Sequence, residues 1–274
     1  MWQAPPAPAP VSREWLPVLD MPASGPQYRL TVLLRILLLI PQFVVVWVLS
    51  VVAFVVTVIG WFGALVLGRL PGFVADYLTA YLPYDTRVTA YLMLTVDRYP
   101  PFRFQVPEYP VQVGLRPGPL NRLAVLFRII LVIPASIVQG LVNAGWWVVA
   151  FVIWLVVLAL GRMPQPLYEA TTAIVRYRMR FIAYLVMLTS AYPKRLFGEE
   201  PGSEPEPASA TRPLVLSGAG RGLLVLFLLL GLVSWATSSV TASVNSGDDN
   251  DDDNGTNPTE HVMAPLVPGP ATQG

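Results

Sequence analysis

The residues of this chain with the clearest potential for chemistry are arginines that recur at regular places, since their guanidinium groups can bind anions. Arg35 and Arg128 each stand where a long uncharged run begins, and Arg176, Arg178 and Arg180 cluster in an amphipathic stretch. A guanidinium in such a place pairs with phosphate or carboxylate groups. Since the surrounding residues are apolar and aromatic, the spacing predicts contact of these five side chains with lipid headgroups. The alternatives are a partner carboxylate, or a snorkelling anchor without lipid specificity.

Other reactive chemistry is scarce. The chain has no Cys and a single His, His261, in a polar tail, so thiolate sites and an intramembrane His relay are excluded. Asn250 to Gly255 resembles the start of a calcium loop, but His261 stands where the bidentate Glu belongs. We therefore predict no catalytic residue, no metal site, no cofactor and no enzymatic activity. The net charge of +1 gives no indication of a nucleic-acid partner.

One block of sequence occurs twice. Arg29 to Pro41 reads RLTVLLRILLLIP and Arg122 to Pro134 reads RLAVLFRIILVIP, so that Arg35 aligns with Arg128 (128 − 35 = 93). LGRLP after the first apolar run meets LGRMP after the second at the same offset. The chain is 54% hydrophobic and only 13% charged, whereas a soluble domain has roughly 25% charged residues. Two copies of a unit with long apolar runs indicate a duplicated membrane domain.

The predicted fold class is an all-α integral membrane protein. It has two tandem repeats of a long apolar helix or helical hairpin plus an amphipathic helix, then one C-terminal transmembrane helix. The predicted segments are a disordered Pro- and Ala-rich arm at 1–27, repeat one at 28–104, a connector at 105–121, repeat two at 122–197, a disordered linker at 198–213, the C-terminal transmembrane helix at 214–244 and an acidic disordered tail at 245–274.

Two geometries fit each repeat. The first uncharged run, Ile36 to Leu67, has 67 − 36 + 1 = 32 residues, more than the ~20 that one crossing needs. It forms either a hairpin with the amphipathic stretch on the membrane surface, or one tilted crossing with the amphipathic stretch returning. We favour the hairpin, because Arg176, Arg178 and Arg180 point to different faces of a helix and a spanning helix would expose some of them to lipid.

The arginines also predict sidedness. Twelve of the 18 basic residues lie outside the uncharged runs, near the start or end of a repeat or between repeats. If each repeat starts and ends on the same side, the positive-inside rule places these segments in the cytoplasm. The prediction is a multi-pass protein of the cell membrane, a bacterial inner membrane, with its N-terminus in the cytoplasm and its acidic tail outside.

The strings FRIILVIP, LGRxP and AYLMLTVDRYPPF resemble a bacterial membrane family known as domain of unknown function 4389. The resemblance covers both repeats and implies the tandem architecture, but no activity, substrate or cofactor. The second repeat departs from the pattern, since Ser190 and Ala191 precede Tyr192-Pro193 where the first repeat has Asp97 and Arg98 before Tyr99-Pro100.

The function expected from these features is that of a membrane scaffold or accessory protein. A small transporter or channel built from two parallel repeats is the alternative, and a membrane-embedded lipid enzyme ranks third. The expected partners are the lipid bilayer, with anionic lipids as candidates, and a membrane protein or a second copy of the chain.

Overall fold

The computed structural model describes residues 15–199, 209 and 211–248, and this part of the chain is mostly helical. The packing reported below lies within residues 15–235. The elements in chain order are β1 (Val18–Asp20), α1 (Arg29–Leu33), α2 (Arg35–Leu67), α3 (Gly72–Leu92), β2 (Gln112–Gly114), α4 (Arg122–Leu126), α5 (Arg128–Leu160), α6 (Gln165–Leu185) and α7 (Gly218–Asp248).

Each long apolar run folds as one unbroken helix. α2 and α5 have 33 residues each, which corresponds to about 50 Å at ~1.5 Å per residue. Both end at a glycine in the left-handed conformation, Gly68 with φ 69° and Gly161 with φ 66°, where a Cβ would be strained. The hairpin that we favoured is thereby corrected, since no turn interrupts either run. A continuous helix bonds its backbone N–H and C=O groups internally, whereas an apex would leave several of them open.

The amphipathic stretches form 21-residue helices, α3 and α6, that pack back along the long helix of their own repeat. The hydroxyl of Tyr77 donates to the carbonyl oxygen of Leu49 at 2.8 Å and fixes α3 against α2. α3 continues through Pro83 without splitting. At the centre of the molecule α3 meets α6, and Arg178 pairs there with Asp85.

Backbone contacts between the repeats are reciprocal. The N–H of Leu120 donates to the carbonyl oxygen of Gly68 at 2.9 Å, and the N–H of Gln27 donates to the carbonyl oxygen of Gly161 at 2.7 Å. Leu120 is the repeat-two equivalent of Gln27, and Gly161 is that of Gly68, so the two hydrogen bonds are equivalent. Such reciprocal contacts are typical of two units related by a two-fold axis. The end of each long helix therefore lies beside the start of the other repeat, so α2 and α5 run in opposite directions.

A third layer of irregular chain covers α3 and α6. β1 and β2 pair antiparallel, with Leu19 opposite Val113, and pack on α6 and α3. Leu19 is fully buried. The prediction of a disordered arm at 1–27 is therefore corrected for residues 15–27, whose apolar side chains cover α6, while 1–14 lie outside the described residues.

The most apolar helices are also the most exposed. In the part of the chain that the structure describes, three helices are long and apolar enough to cross a membrane: Arg35–Leu67, Arg128–Leu160 and Gly218–Ser238. Only 11% of the most apolar window of α2 is buried inside the protein, the reverse of a water-soluble fold, in which such side chains form the core. This distribution is consistent with a membrane protein.

The C-terminal helix α7 packs on α5 through glycines. A Cβ on Gly145 would lie 1.7 Å from the carbonyl oxygen of Phe227, and one on Gly231 would lie 1.9 Å from that of Leu141. Larger residues at these positions would collide with backbone, so the two helices approach as closely as small residues permit. The corresponding position of Gly145 in α2 is Val52, which is exposed.

Candidate functional site

The five predicted arginines occupy different environments. Four of them, Arg35, Arg128, Arg176 and Arg180, are buried, and the side chain of Arg178 is 28% exposed. Four of the five pair with a carboxylate of the protein itself, and the exception is Arg128.

Arg176 and Arg180 share one carboxylate. They lie one turn apart on α6, and both pair with Glu199, at 3.3 Å and 2.8 Å. Arg180 Nε also donates to the carbonyl oxygen of Pro17 at 3.0 Å, and Arg176 donates to that of Thr211. The buried Nε of Arg176 has no hydrogen-bond partner. Burial alone would raise the pKa of Glu199, but attraction to Arg176 and the hydrogen bond from Arg180 outweigh it and lower the pKa below its usual range.

Arg178 points to the opposite face of α6. It forms two contacts with the Asp85 carboxylate and donates to the Thr89 hydroxyl at 3.0 Å. The three arginines of α6 thus point to different faces, as expected. α3 covers one face, and residues 15–20, 194–199 and 211–213 cover the other. The structure therefore corrects the headgroup assignment of Arg176, Arg178 and Arg180, and it also corrects the surface position expected for this helix.

Arg35 has several protein partners, and one of them is a carboxylate. Its guanidinium pairs with Asp97 at 3.1 Å and donates to the side chain of Gln27 at 3.1 Å and to the carbonyl oxygen of Tyr91 at 2.7 Å. The ring of Tyr91 lies 4.3 Å from its guanidinium carbon. The Nε of Arg35 has no hydrogen-bond partner, but Asp97 balances the charge of the guanidinium. The headgroup assignment of Arg35 is therefore corrected as well.

Arg128 occupies the same position in repeat two with fewer partners. It donates to the carbonyl oxygen of Thr189 and lies 4.0 Å from the ring centre of Tyr184, as Arg35 lies near Tyr91. Its Nε has no hydrogen-bond partner, and none of the described carboxylates pairs with it. The reason lies in the sequence, because Ser190 stands where repeat one has Asp97.

A cavity of about 630 Å³ adjoins Arg128. Its walls come from α2, from the start of α5, from the middle of α3 and from the end of α6, and they are almost wholly apolar. Apart from Arg128, the polar lining residues are Ser50, Thr57 and Tyr81, and the buried Thr57 hydroxyl has no hydrogen-bond partner. The cavity exists beside Arg128 because Ala53 is small, whereas the corresponding residue of α5 is the buried Trp146.

A second cavity of about 750 Å³ lies between α3 and the connector, lined in part by Asp76, Thr79 and Gln105. Arg87 borders it and donates to the carbonyl oxygens of Arg103 at 2.9 Å and Phe104 at 2.7 Å. This guanidinium fixes the connector to α3, so its main role is structural.

Sequence reasoning missed the acidic partners. Glu199 belongs to a segment rich in Glu and Pro that reads as solvated, and Asp85 sits on a helix expected at the surface. The spacing of Arg176 and Arg180, one helical turn apart, was the available signal for a shared partner. Among residues 15–199, 209 and 211–248, no group of His, Cys, Asp and Glu is arranged to hold a metal ion. The calcium-like segment at 250–255 lies outside the described residues.

The fold and this site define a class: a duplicated helical protein with apolar outer helices and arginines held inside by their own carboxylates. The chain belongs to the family described as domain of unknown function 4389, whose model matches residues 29–103 and 122–196. The two matches confirm the resemblance and the tandem copies. Neither the curated proteins nor the solved structures contain a match to this chain.

Proposed function

We propose that this chain is a non-enzymatic membrane scaffold or accessory protein. The observation that carries the proposal is that the protein has one apolar face and one charged face. α2 and α5 present apolar side chains outward, while the connectors on the other side of α3 and α6 present charged ones. The paired arginines support a rigid core between these two faces, because each buried ion pair fixes two segments of chain to one another.

The path of the chain between α3 and α4, which is the connector with residues 99–104 before it, supports a particular orientation. It begins beside the start of α2, where Pro100 accepts from Gln42, and it reaches the far end of α2 at Leu120, which is bonded to Gly68. Between these points its backbone is irregular apart from β2, and its exposed residues include Arg103 and Glu108. Irregular, charged chain is not stable in hydrocarbon. We infer that the connector lies in water along its whole length, so that α2 and α5 lie along the membrane rather than across it.

α7 is then the candidate crossing segment. It starts on the connector side, where the N–H of Ser217 donates to Glu169 at 2.8 Å, and continues past α5 in the apolar layer. This arrangement retains the predicted sidedness, with a cytoplasmic N-terminus and an external tail, in the cell membrane. It replaces the predicted multi-pass topology with a single crossing. A reporter fused after Gly274 should be active only on the external face, and cytoplasmic activity of that fusion would contradict the sidedness.

Cysteine labelling tests the orientation, since the native chain has no Cys. Tyr28 and Arg69 are exposed and flank the two ends of α2. Tyr28→Cys and Arg69→Cys should both react with a membrane-impermeant maleimide in inside-out vesicles and remain unreactive in intact cells. Gln105→Cys, on the connector, is the matched control for the cytoplasmic side. Reaction of the two α2 variants from opposite sides would establish α2 as a crossing helix and overturn the orientation.

The geometry gives less support to a transporter or channel of two parallel repeats. That function requires α3 and α6 to cross the membrane and line a polar path. The long helices run in opposite directions, and the Arg178–Asp85 pair closes the contact between α3 and α6.

A further inference from the structure

We propose that the cavity beside Arg128 binds an anionic phospholipid, with the phosphate paired to the guanidinium and an acyl chain between the apolar walls. The inference rests on the proposed function only for the source of the ligand, which is the surrounding membrane. The arrangement of cavity and cation is a property of the folded chain.

The two repeats provide an internal comparison for the charge. Arg35 and Arg128 occupy equivalent positions and are 2% and 4% exposed. Asp97 balances the charge of Arg35 at 3.1 Å. Repeat two has Ser190 at the equivalent position, so Arg128 has no carboxylate partner among the described residues. A buried cation without a counter-charge is strongly destabilising. An external anion supplies the missing charge, and a phosphate accepts hydrogen bonds from a guanidinium in a favourable planar geometry.

The cavity supplies the apolar half of the site. Its volume of about 630 Å³ falls within the ~300–1,000 Å³ of ligand pockets. Phe54 and Phe62 line it and are 70% and 60% exposed, so its rim continues into the apolar outer surface of α2. A free phosphate or an acidic peptide would leave these walls uncovered, whereas a lipid from the adjoining leaflet covers them and neutralises Arg128 together.

The equivalent location in the other half of the molecule differs in both respects. Trp146 replaces Ala53 and fills space with a buried indole, and Ala150 replaces Thr57. Asp97 already neutralises the local arginine there. The two locations therefore differ. The one beside Arg35, here called the closed repeat, is filled by Trp146 and neutralised by Asp97, whereas the one beside Arg128 has a cavity and a cation without a carboxylate partner.

Lipid binding by the full-length protein in detergent tests the proposal independently of membrane orientation. Native mass spectrometry with phosphatidylglycerol and phosphatidylcholine as probes should detect saturable binding of one phosphatidylglycerol, at least about tenfold tighter than phosphatidylcholine, a difference of ~1.4 kcal/mol. Arg128→Gln should remove this preference. Arg69→Gln, at an exposed arginine outside the cavity, should bind like the wild type.

Two further variants copy features of the closed repeat and keep the test valid if Arg128→Gln fails to fold. Ala53→Trp should fill the cavity and weaken binding of phosphatidylglycerol about tenfold or more while Arg128 remains. Ser190→Asp should pair Arg128 internally, weaken binding similarly and raise the melting temperature of the lipid-free protein. Equal binding of both lipids, unchanged binding in these variants, or full competition by inorganic phosphate would overturn the proposal. The cysteine-labelling experiment tests the membrane orientation and does not depend on lipid binding. Failure of the orientation and failure of the lipid site can therefore be told apart.

Discussion

The indole N–H of Trp154 donates a hydrogen bond of 2.9 Å to the backbone carbonyl oxygen of Val32. The corresponding Trp61 donates to the carbonyl oxygen of Val125 at 3.0 Å, so the same contact occurs twice across the repeat boundary. Reciprocal contacts of this kind define an isologous interface, the type found between subunits of two-fold dimers. Gene duplication has here joined the two halves of such an interface in one chain.

Removing one of these indole hydrogen bonds should weaken the association of the repeats. Trp154→Phe keeps most of the apolar contact but leaves the carbonyl group of the buried Val32 without its partner. We expect the free energy of unfolding to fall by ~1 kcal/mol, the usual net value of a hydrogen bond. Denaturant titration in detergent, followed by circular dichroism, measures it. Trp47→Phe, at an exposed tryptophan of α2, is the control and should be neutral; an equal loss there would show that the hydrogen bond is not the cause.

The packing of α7 on α5 depends on the absence of a side chain at Gly145. Gly145→Ala places a methyl group against the Phe227 backbone, where the available distance is 1.7 Å. We expect α7 to detach, seen as faster proteolytic cleavage between residues 199 and 217. Gly140→Ala, in the same helix with open space around it, should leave cleavage unchanged. Similar cleavage of both variants would contradict the close approach of α7 and α5.

The repeats and the ends of the long helices could be predicted from the sequence because the signals are local. Gly68 and Gly161 stop their helices where the LGRxP motif indicates, and the offset between copies identifies equivalent positions without any structure. The length of the first apolar run, beyond the ~20 residues of one crossing, favoured a hairpin, whereas the run folds as part of the single 33-residue helix α2.

The candidate site was less predictable because its determinants are distant along the chain. Glu199 reaches Arg176 from a segment that looks solvated by composition, and Pro17 reaches Arg180 from a Pro- and Ala-rich arm. Neither contact leaves a periodic pattern. The loss of the acidic residue at Ser190 was visible in the sequence, but its consequence for Arg128 depended on the burial of that side chain.

Asp85 and Arg178 occupy equivalent positions of the two repeats and contact each other, so the two-fold axis passes close to this pair. The surroundings of the two positions are therefore similar. Asp85→Arg and Arg178→Asp should each destabilise the protein by placing like charges together. The double variant restores opposite charges across the axis, and we expect it to recover most of the lost stability. Additive losses in a double-mutant cycle of unfolding free energies would contradict this arrangement.

The buried Glu199 should make stability dependent on pH. Glu199→Gln removes the charge that balances Arg176 and Arg180 and should cost ~3–5 kcal/mol near neutral pH, as expected for breaking a buried pair. Folding lowers the pKa of Glu199, because its attraction to both arginines outweighs the effect of burial. A carboxyl with a depressed pKa contributes stability that is complete above its unfolded pKa of ~4.3 and is lost as the pH falls through its folded pKa.

The difference in unfolding free energy between wild type and Glu199→Gln should accordingly be constant from pH 7 down to about 5 and shrink at lower pH. Denaturant titrations in detergent at a series of pH values measure this difference. Glu108→Gln, at an exposed glutamate of the connector, provides the control and should follow the wild-type curve throughout. A difference that stays constant to the lowest pH would mean that the ionised carboxylate of Glu199 does not stabilise the fold through Arg176 and Arg180.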